Sequence, residues 1–261
     1  MIRLRTDFFA ESLGMGTSIV VLMPQAASGI GMEGADAPGT GTSVDGPAVP
    51  VLYLLHGLSD DCTIWERRTS IERYATEKGI AVVMPEVRRS FYTDEAVGEA
   101  YWTFVAEELP QLVAGTFRVS TAREDTFVAG LSMGGFGAFK LALNHPERFA
   151  AAASLSGAVD LTSMDLDWTG TLAQRVWDGR EIADTADDLL GLLGRRDPAE
   201  LPALFLDCGT EDQLITQNER FLAAAEDAGV DVTSRLRPGA HTWDFWDEGV
   251  QDVLDWLPIR G

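Results

Sequence analysis

Residues 127–143 dictate a strand, a sharp turn and a helix in direct succession, and few folds accommodate that order. The apolar run Phe127-Val128-Ala129 leads into Gly130-Leu131-Ser132-Met133-Gly134-Gly135, followed by Phe136-Gly137-Ala138-Phe139-Lys140-Leu141-Ala142-Leu143. A G-x-S-x-G in that setting is a nucleophile elbow. The turn places the serine in strained backbone, and the small residues on either side let strand and helix approach closely. The serine hydroxyl then stands at a helix N-terminus, where the dipole and free N–H groups favour developing negative charge. The pattern alone is weak, so its weight rests on the setting and on partners elsewhere in the chain.

The rest of the chain supplies that setting. Residues 4–11 and 17–23 read as two strands joined by a turn at Gly14-Met15-Gly16. Val51-Leu52-Tyr53-Leu54-Leu55 is the unbroken apolar run of a strand buried on both faces. Strand and helix then alternate: helix 64–77, strand 80–84 ending at Pro85, helix 98–114, strand 126–131 and the helix after Ser132. Strands at 149–155 and from 203, a helix at 215–228, a strand at 230–236 and a helix at 243–257 complete the pattern. Repeated β-α-β units predict a single α/β domain over residues 1–261, with a mostly parallel, twisted sheet of about eight strands and helices on both faces. Two segments break the rhythm. Residues 25–49 are rich in glycine, build no core and read as a loop. Residues 158–200 are acidic, carry Trp168 and Trp177, and lie between two strands, where a cap or acyl-pocket insertion would sit.

Composition narrows the function. The 41 acidic against 20 basic side chains give a net charge of −21, which argues against nucleic-acid or anionic-membrane partners and only modestly against strongly anionic substrates, for which local pocket charges decide. No stretch approaches the ~20 apolar residues of a membrane span, and the N-terminus lacks the apolar core of a secretory signal, so a cytoplasmic protein is expected. Cys62 and Cys208 have no ligand spacing and read as buried free thiols. The three histidines show no metal-binding spacing, so neither a metal nor a cofactor is expected.

Those same histidines allow elimination. A serine nucleophile needs a base, an orienting carboxylate and an oxyanion hole. His56-Gly57-Leu58 follows a buried strand, where an HG motif shapes an oxyanion loop. His145 ends the helix that Ser132 begins, too far along it to serve. His241 remains, in Gly239-Ala240-His241-Thr242-Trp243 between the last strand and last helix, at the carboxyl edge with the elbow. The order serine, acid, histidine places the carboxylate in Asp207-Cys208-Gly209-Thr210-Glu211-Asp212. Asp207 lies within the strand and Glu211 reads as solvated, so Asp212 is preferred. The backbone N–H groups of Leu58 and Met133 are the expected oxyanion donors. Trp65, Trp102, Trp168, Trp243 and Trp246 are candidates to line an apolar cleft, each with an ordinary core position as the alternative.

With these residues assembled, the chain resembles the tributyrin esterase and esterase D group. The resemblance is carried by Tyr53-Leu54-Leu55-His56-Gly57, Val83-Met84-Pro85, Glu107-Glu108-Leu109-Pro110 and Ala129-Gly130-Leu131-Ser132-Met133-Gly134-Gly135. Phe139-Lys140-Leu141-Ala142, Cys208-Gly209-Thr210-Glu211-Asp212 and Gly239-Ala240-His241-Thr242-Trp243 extend it, so that it runs from about residue 4 to 257. It implies an α/β-hydrolase whose nucleophile, acid and base match Ser132, Asp212 and His241, and whose substrates are short-chain acyl esters, including acetylated sugars and cinnamoyl esters. S-formylglutathione hydrolases and mycolyltransferases are similar at greater distance. The segments 25–49 and 158–200 depart from the group, and the strand before 25–49, expected to be antiparallel, would hang that loop from the edge opposite the catalytic one. The expectation is a serine carboxylesterase for small, uncharged acyl esters, acetyl to butyryl, working through an acyl-enzyme. Transfer to an alcohol or sugar acceptor and S-formylglutathione hydrolysis are the alternatives, and homo-oligomerisation stays open.

Overall fold

The computed structural model describes residues 1–25, 48–164 and 170–260. Almost all of the glycine-rich segment 25–49 therefore lies outside the described residues, as does Trp168.

Eight strands form one sheet: β1 (Ile2–Ala10), β2 (Met15–Met23), β3 (Val51–Leu55), β4 (Ala81–Pro85), β5 (Thr126–Leu131), β6 (Ala151–Leu155), β7 (Ala203–Gly209) and β8 (Val232–Arg237). Their spatial order is β1-β2-β4-β3-β5-β6-β7-β8. The β1–β2 and β2–β4 pairs are antiparallel, and every pair from β4 through β3 to β8 is parallel. This is the expected sheet, with its first strands antiparallel. Because β2 runs against β4, the residues flanking the 25–49 segment meet the sheet at the amino ends of the parallel strands.

The continuous apolar runs are explained by burial on both faces. Every residue of β3, β4, β5 and β6 is buried. Along β3, Val51, Tyr53 and Leu55 enter one core while Leu52 and Leu54 enter the other, the period of two that a pleated strand imposes. Helices close both faces. Phe136 and Phe139 of the helix Met133–Asn144 fill the first core. Val250 and Val253 of the helix Trp243–Trp256 fill the second.

Several elements depart from their expected bounds. The helix read over 64–77 breaks into Ile64–Arg68 and Ile71–Lys78. Thr69 is extended there (φ −135°, ψ 173°), and its hydroxyl donates to the Trp65 carbonyl at 2.6 Å, the side-chain competition that unsettles a helix interior. The helix read from residue 98 starts at Tyr101 and runs to Thr116, with Phe104–Glu108 in a wider π turn. β6 and β8 each start two residues late, because Phe149 and Val230 pack into the core from the preceding loops instead of from the strand.

Residues 158–200 contribute the helices Thr171–Val176 and Leu189–Arg195 and are tied to the elbow helix by a buried ion pair. Lys140, only 1% exposed, places its ammonium 2.5 Å from an Asp187 carboxylate oxygen. It also donates to the Tyr92 carbonyl (2.8 Å) and the Thr93 hydroxyl (2.9 Å), and it sits 4.4 Å from the Trp102 ring centre. The second Asp187 oxygen accepts the Trp177 indole N–H at 3.0 Å. Burial pushes the Lys140 pKa down, and the Asp187 charge opposes that shift. Removing one partner would strand the other charge away from water, which typically costs ~3–5 kcal/mol. Asp187→Asn is accordingly expected to lower the free energy of unfolding in urea by about 3 kcal/mol. A loss below about 1 kcal/mol would show that Lys140 needs no counter-charge in that site.

Candidate active site

The turn between β5 and its helix holds Ser132 at φ 53°, ψ −117°, a region that costs a non-glycine residue of order 1–3 kcal/mol. Packing on three sides imposes it. The Ser132 N–H donates to the Leu155 carbonyl of β6 at 2.9 Å, and its own carbonyl accepts from Ala158 and Phe136, each at 3.1 Å. The flanking glycines are steric necessities. A Cβ on Gly130 would run into the Gly134 backbone, and one on Gly134 would lie 2.7 Å from the His56 carbonyl oxygen.

Three side chains from three loops of the carboxyl edge then meet in one hydrogen-bonded chain. The Ser132 hydroxyl lies 3.1 Å from His241 Nε2, and His241 Nδ1 lies 2.8 and 3.0 Å from the two Asp212 carboxylate oxygens. Asp212 is 2% exposed, and burial alone would raise its pKa. Hydrogen bonds from the His241 ring and the Leu214 amide (2.8 Å) outweigh burial and hold the carboxyl below the usual range. The group is therefore ionised wherever the ring needs a partner, and Nδ1 is the ring donor.

The other two carboxylates of that stretch are engaged elsewhere. Asp207, inside β7, pairs with Arg237 of β8 at 2.9 Å. Burial keeps its pKa raised despite that partner. Glu211 is exposed and accepts from the Gly239 amide and the Thr210 hydroxyl, bracing the loop that carries His241.

The HG loop stands against the elbow. A Cβ on Gly57 would lie 3.7 Å from Ser132 Cβ, so Leu58 follows directly beside the serine. His56 does not reach the serine. Its Nδ1 donates to the Gly57 carbonyl at 2.7 Å, and Nε2 accepts from the Val87 amide at 3.2 Å, locking the loop to the segment after β4. Met133 is the first residue of its helix, and its N–H is one of the four that no helical carbonyl accepts.

The tryptophans divide. Trp65 is 1% exposed and donates to the Leu55 carbonyl at 3.1 Å, so it is a core residue and lines no cleft. Trp102 stacks on His145, with ring centres 5.6 Å apart, at the end of the elbow helix opposite Ser132. Trp246 is buried and stands edge-on to His241 at 4.7 Å, while the half-buried Trp243 packs edge-on against Trp246 and Trp65. Ser156 escaped the sequence reading. Fully buried at φ 48°, it accepts the Trp246 indole N–H at 3.1 Å, and its hydroxyl helps hold the Asp212 carboxyl ionised. A serine after a strand carries no motif, so only tertiary structure reveals it.

Cys62 and Cys208 are free and buried, and burial pushes their thiols up to about 11 and about 12, far from a reactive thiolate. Among the described residues no group of three or more histidine, cysteine or acidic side chains could hold a metal ion, and no helix is long and apolar enough to cross a membrane.

Comparison with known proteins matches residues 43–257 to the family described as Esterase, putative esterase. An acetyl esterase from Caldicellulosiruptor saccharolyticus is 26% identical over 268 residues, covering 97% of both chains. Among solved structures, substrate-bound FphF, the fluorophosphonate-binding serine hydrolase F of Staphylococcus aureus, superposes with a TM-score of 0.86 at 30% identity, over 100% of this chain and 99% of that one. The S-formylglutathione hydrolase FrmB of the same organism gives 0.80 at 29% identity, over 98% of each chain.

Proposed function

The chain belongs to this esterase family and is a serine hydrolase, and from that premise we propose that it is a carboxylesterase for short-chain acyl esters, acetyl to butyryl, of the tributyrin esterase and esterase D kind. The single observation that carries the reading is the hydrogen-bonded chain from Ser132 through His241 to Asp212, set in an elbow beside the HG loop. His241 Nε2 takes the hydroxyl proton as Ser132 Oγ attacks the ester carbonyl. The Leu58 and Met133 amides receive the negative charge that develops on the carbonyl oxygen, each such donor being worth ~3 kcal/mol. His241 then hands its proton to the departing alcohol, leaving an acyl-enzyme. Water, deprotonated by the same nitrogen, releases the carboxylic acid and restores Ser132. Asp212 keeps the ring in its tautomer and offsets the imidazolium charge without accepting the proton.

Rapid mixing with p-nitrophenyl acetate and butyrate tests the reading. A burst of about one p-nitrophenol per active site is expected before the steady state, together with stoichiometric labelling by a fluorophosphonate. No burst and no labelling would overturn it, and a preference for long acyl chains would contradict the substrate class. The likeness to FrmB favours a second reading, cleavage of a thioester by the same three residues. A thioester of matched acyl length in the same assay separates the two by kcat/KM.

A further inference from the structure

The loop that anchors the HG motif carries three non-glycine residues in strained backbone. Arg88, Phe91 and Tyr92 all lie at positive φ, between 51° and 52°. Such backbone persists only where its surroundings over-determine it. Here they do. The Arg88 amide donates to Glu86 at 2.8 Å, the Tyr92 amide to the Ser90 hydroxyl at 3.1 Å, and the Tyr92 hydroxyl to the His56 carbonyl at 2.9 Å. The result is a fixed turn that begins one residue after Val87, whose amide holds the His56 ring, and that presents Arg88 and Arg89 together on the surface.

Opposite that turn stands the helix Thr171–Val176 of the 158–200 segment. Between them is a cavity of about 260 Å³ lined by Arg88, Arg89, Thr171, Leu172 and Arg175. Three guanidinium groups around one cavity are unexpected in a chain with twice as many acids as bases. One of them is neutralised, because Arg175 pairs with the buried Glu95 carboxylate at 2.7 Å. Arg88 and Arg89 form no ion pair among the described residues. The cavity is thus lined by Arg88 and Arg89, both exposed and without an ion pair among the described residues, by a third arginine held by its carboxylate, and by Thr171. Guanidinium forks match carboxylate and phosphate oxygens in geometry as well as in charge.

We propose that this cavity is a subsite for an anionic group, a carboxylate or phosphate, on the alcohol portion of the ester. The inference rests on the esterase reading above. Arg88 follows Val87, which holds the HG loop that stands against Ser132, while the lining includes neither Ser132 nor His241, so the part of an ester that would reach this cavity is remote from the scissile bond. With an acyl group of two to four carbons, that remote part is the alcohol. The net charge of −21 does not oppose such a subsite, because acidic groups farther away are screened beyond ~8 Å and local charges decide.

The test compares acetyl esters of 4-hydroxybenzoate and 6-hydroxyhexanoate, each against its uncharged methyl ester. The readout is the ratio of kcat/KM for the anionic ester over the neutral one, which does not depend on the fraction of active enzyme. The wild-type ratio is expected to be about tenfold for the better-reaching ester and to fall as salt is raised from low to ~0.5 M. In the double variant Arg88→Gln, Arg89→Gln the ratio should drop to about one, and in Arg88→Lys, Arg89→Lys most of it should survive. A wild-type ratio near one, or a ratio unchanged in the glutamine variant, would overturn the subsite while leaving the esterase reading intact. Failure of the wild type to cleave any of the four esters would overturn the esterase reading instead.

Discussion

Ser132→Ala is expected to lower kcat for p-nitrophenyl acetate by about a million-fold, the loss found when the nucleophile of a serine, histidine and aspartate unit is removed. The size of the effect follows from the way the unit works. Without Oγ, His241 has no proton to take and no acyl-enzyme can form, so only the oxyanion donors and simple binding are left to assist attack by water. Structure should barely change. Alanine meets the same backbone strain at φ 53° as serine does, and the amide and carbonyl bonds that clamp the turn to Leu155, Ala158 and Phe136 are untouched. The thermal midpoint should therefore stay within a few degrees of wild type. Steady-state turnover and fluorophosphonate labelling are the measurements. A loss smaller than about a hundredfold, or retained labelling, would place the nucleophile on another residue.

Asp212→Asn should cost about ten thousand-fold in kcat. The amide is nearly isosteric, but its NH₂ end cannot accept from Nδ1. The ring is then held in the tautomer that leaves Nε2 protonated and unable to take the serine proton. Asp207→Asn is the control, because Asp207 faces Arg237 and not the imidazole. It should reduce stability and leave kcat within about tenfold of wild type, and a reversal of the two results would reassign the acid. A pH signature accompanies the pair. The folded pKa of Asp212 lies below its unfolded value, so its contribution to stability is complete above the usual carboxylate range and is lost as pH falls through the lowered value. Asp212→Asn should remove that part of the acid-induced loss of stability.

The elbow was legible because its chemistry depends on neighbours in sequence: a strand, a serine between glycines and a helix all fall within seventeen residues. His241 and Asp212 were legible for a different reason. Parallel β-α-β topology brings every strand's carboxyl end to one edge, so chain order alone restricts where partners can come from. The same logic separated Asp212 from Asp207, since residue 207 continues the strand and residue 212 lies beyond its end at Gly209. Ser156, the Lys140–Asp187 pair and the cavity between Arg88 and Arg175 obeyed no such rule. Each joins residues whose proximity is set by how loops cross the sheet edge, and none has a spacing that a linear pattern could carry. The break at Thr69 escaped for a similar reason: its hydroxyl bond to the Trp65 carbonyl is a choice between two local satisfactions, and residues 64–77 favour a helix in every other respect.

The turn that holds Ser132 is clamped by backbone atoms of β6, of the segment after it and of its own helix, whereas the cavity walls come from residues 88–89 and 171–175. Inheritance can therefore act on the two separately. A substitution in the walls leaves the backbone bonds that hold the nucleophile in place, whereas one beneath the elbow disturbs Ser132 whatever the ester. A lineage built this way can change diet while keeping its chemistry. The S-formylglutathione hydrolase FrmB carries the same fold at 29% sequence identity.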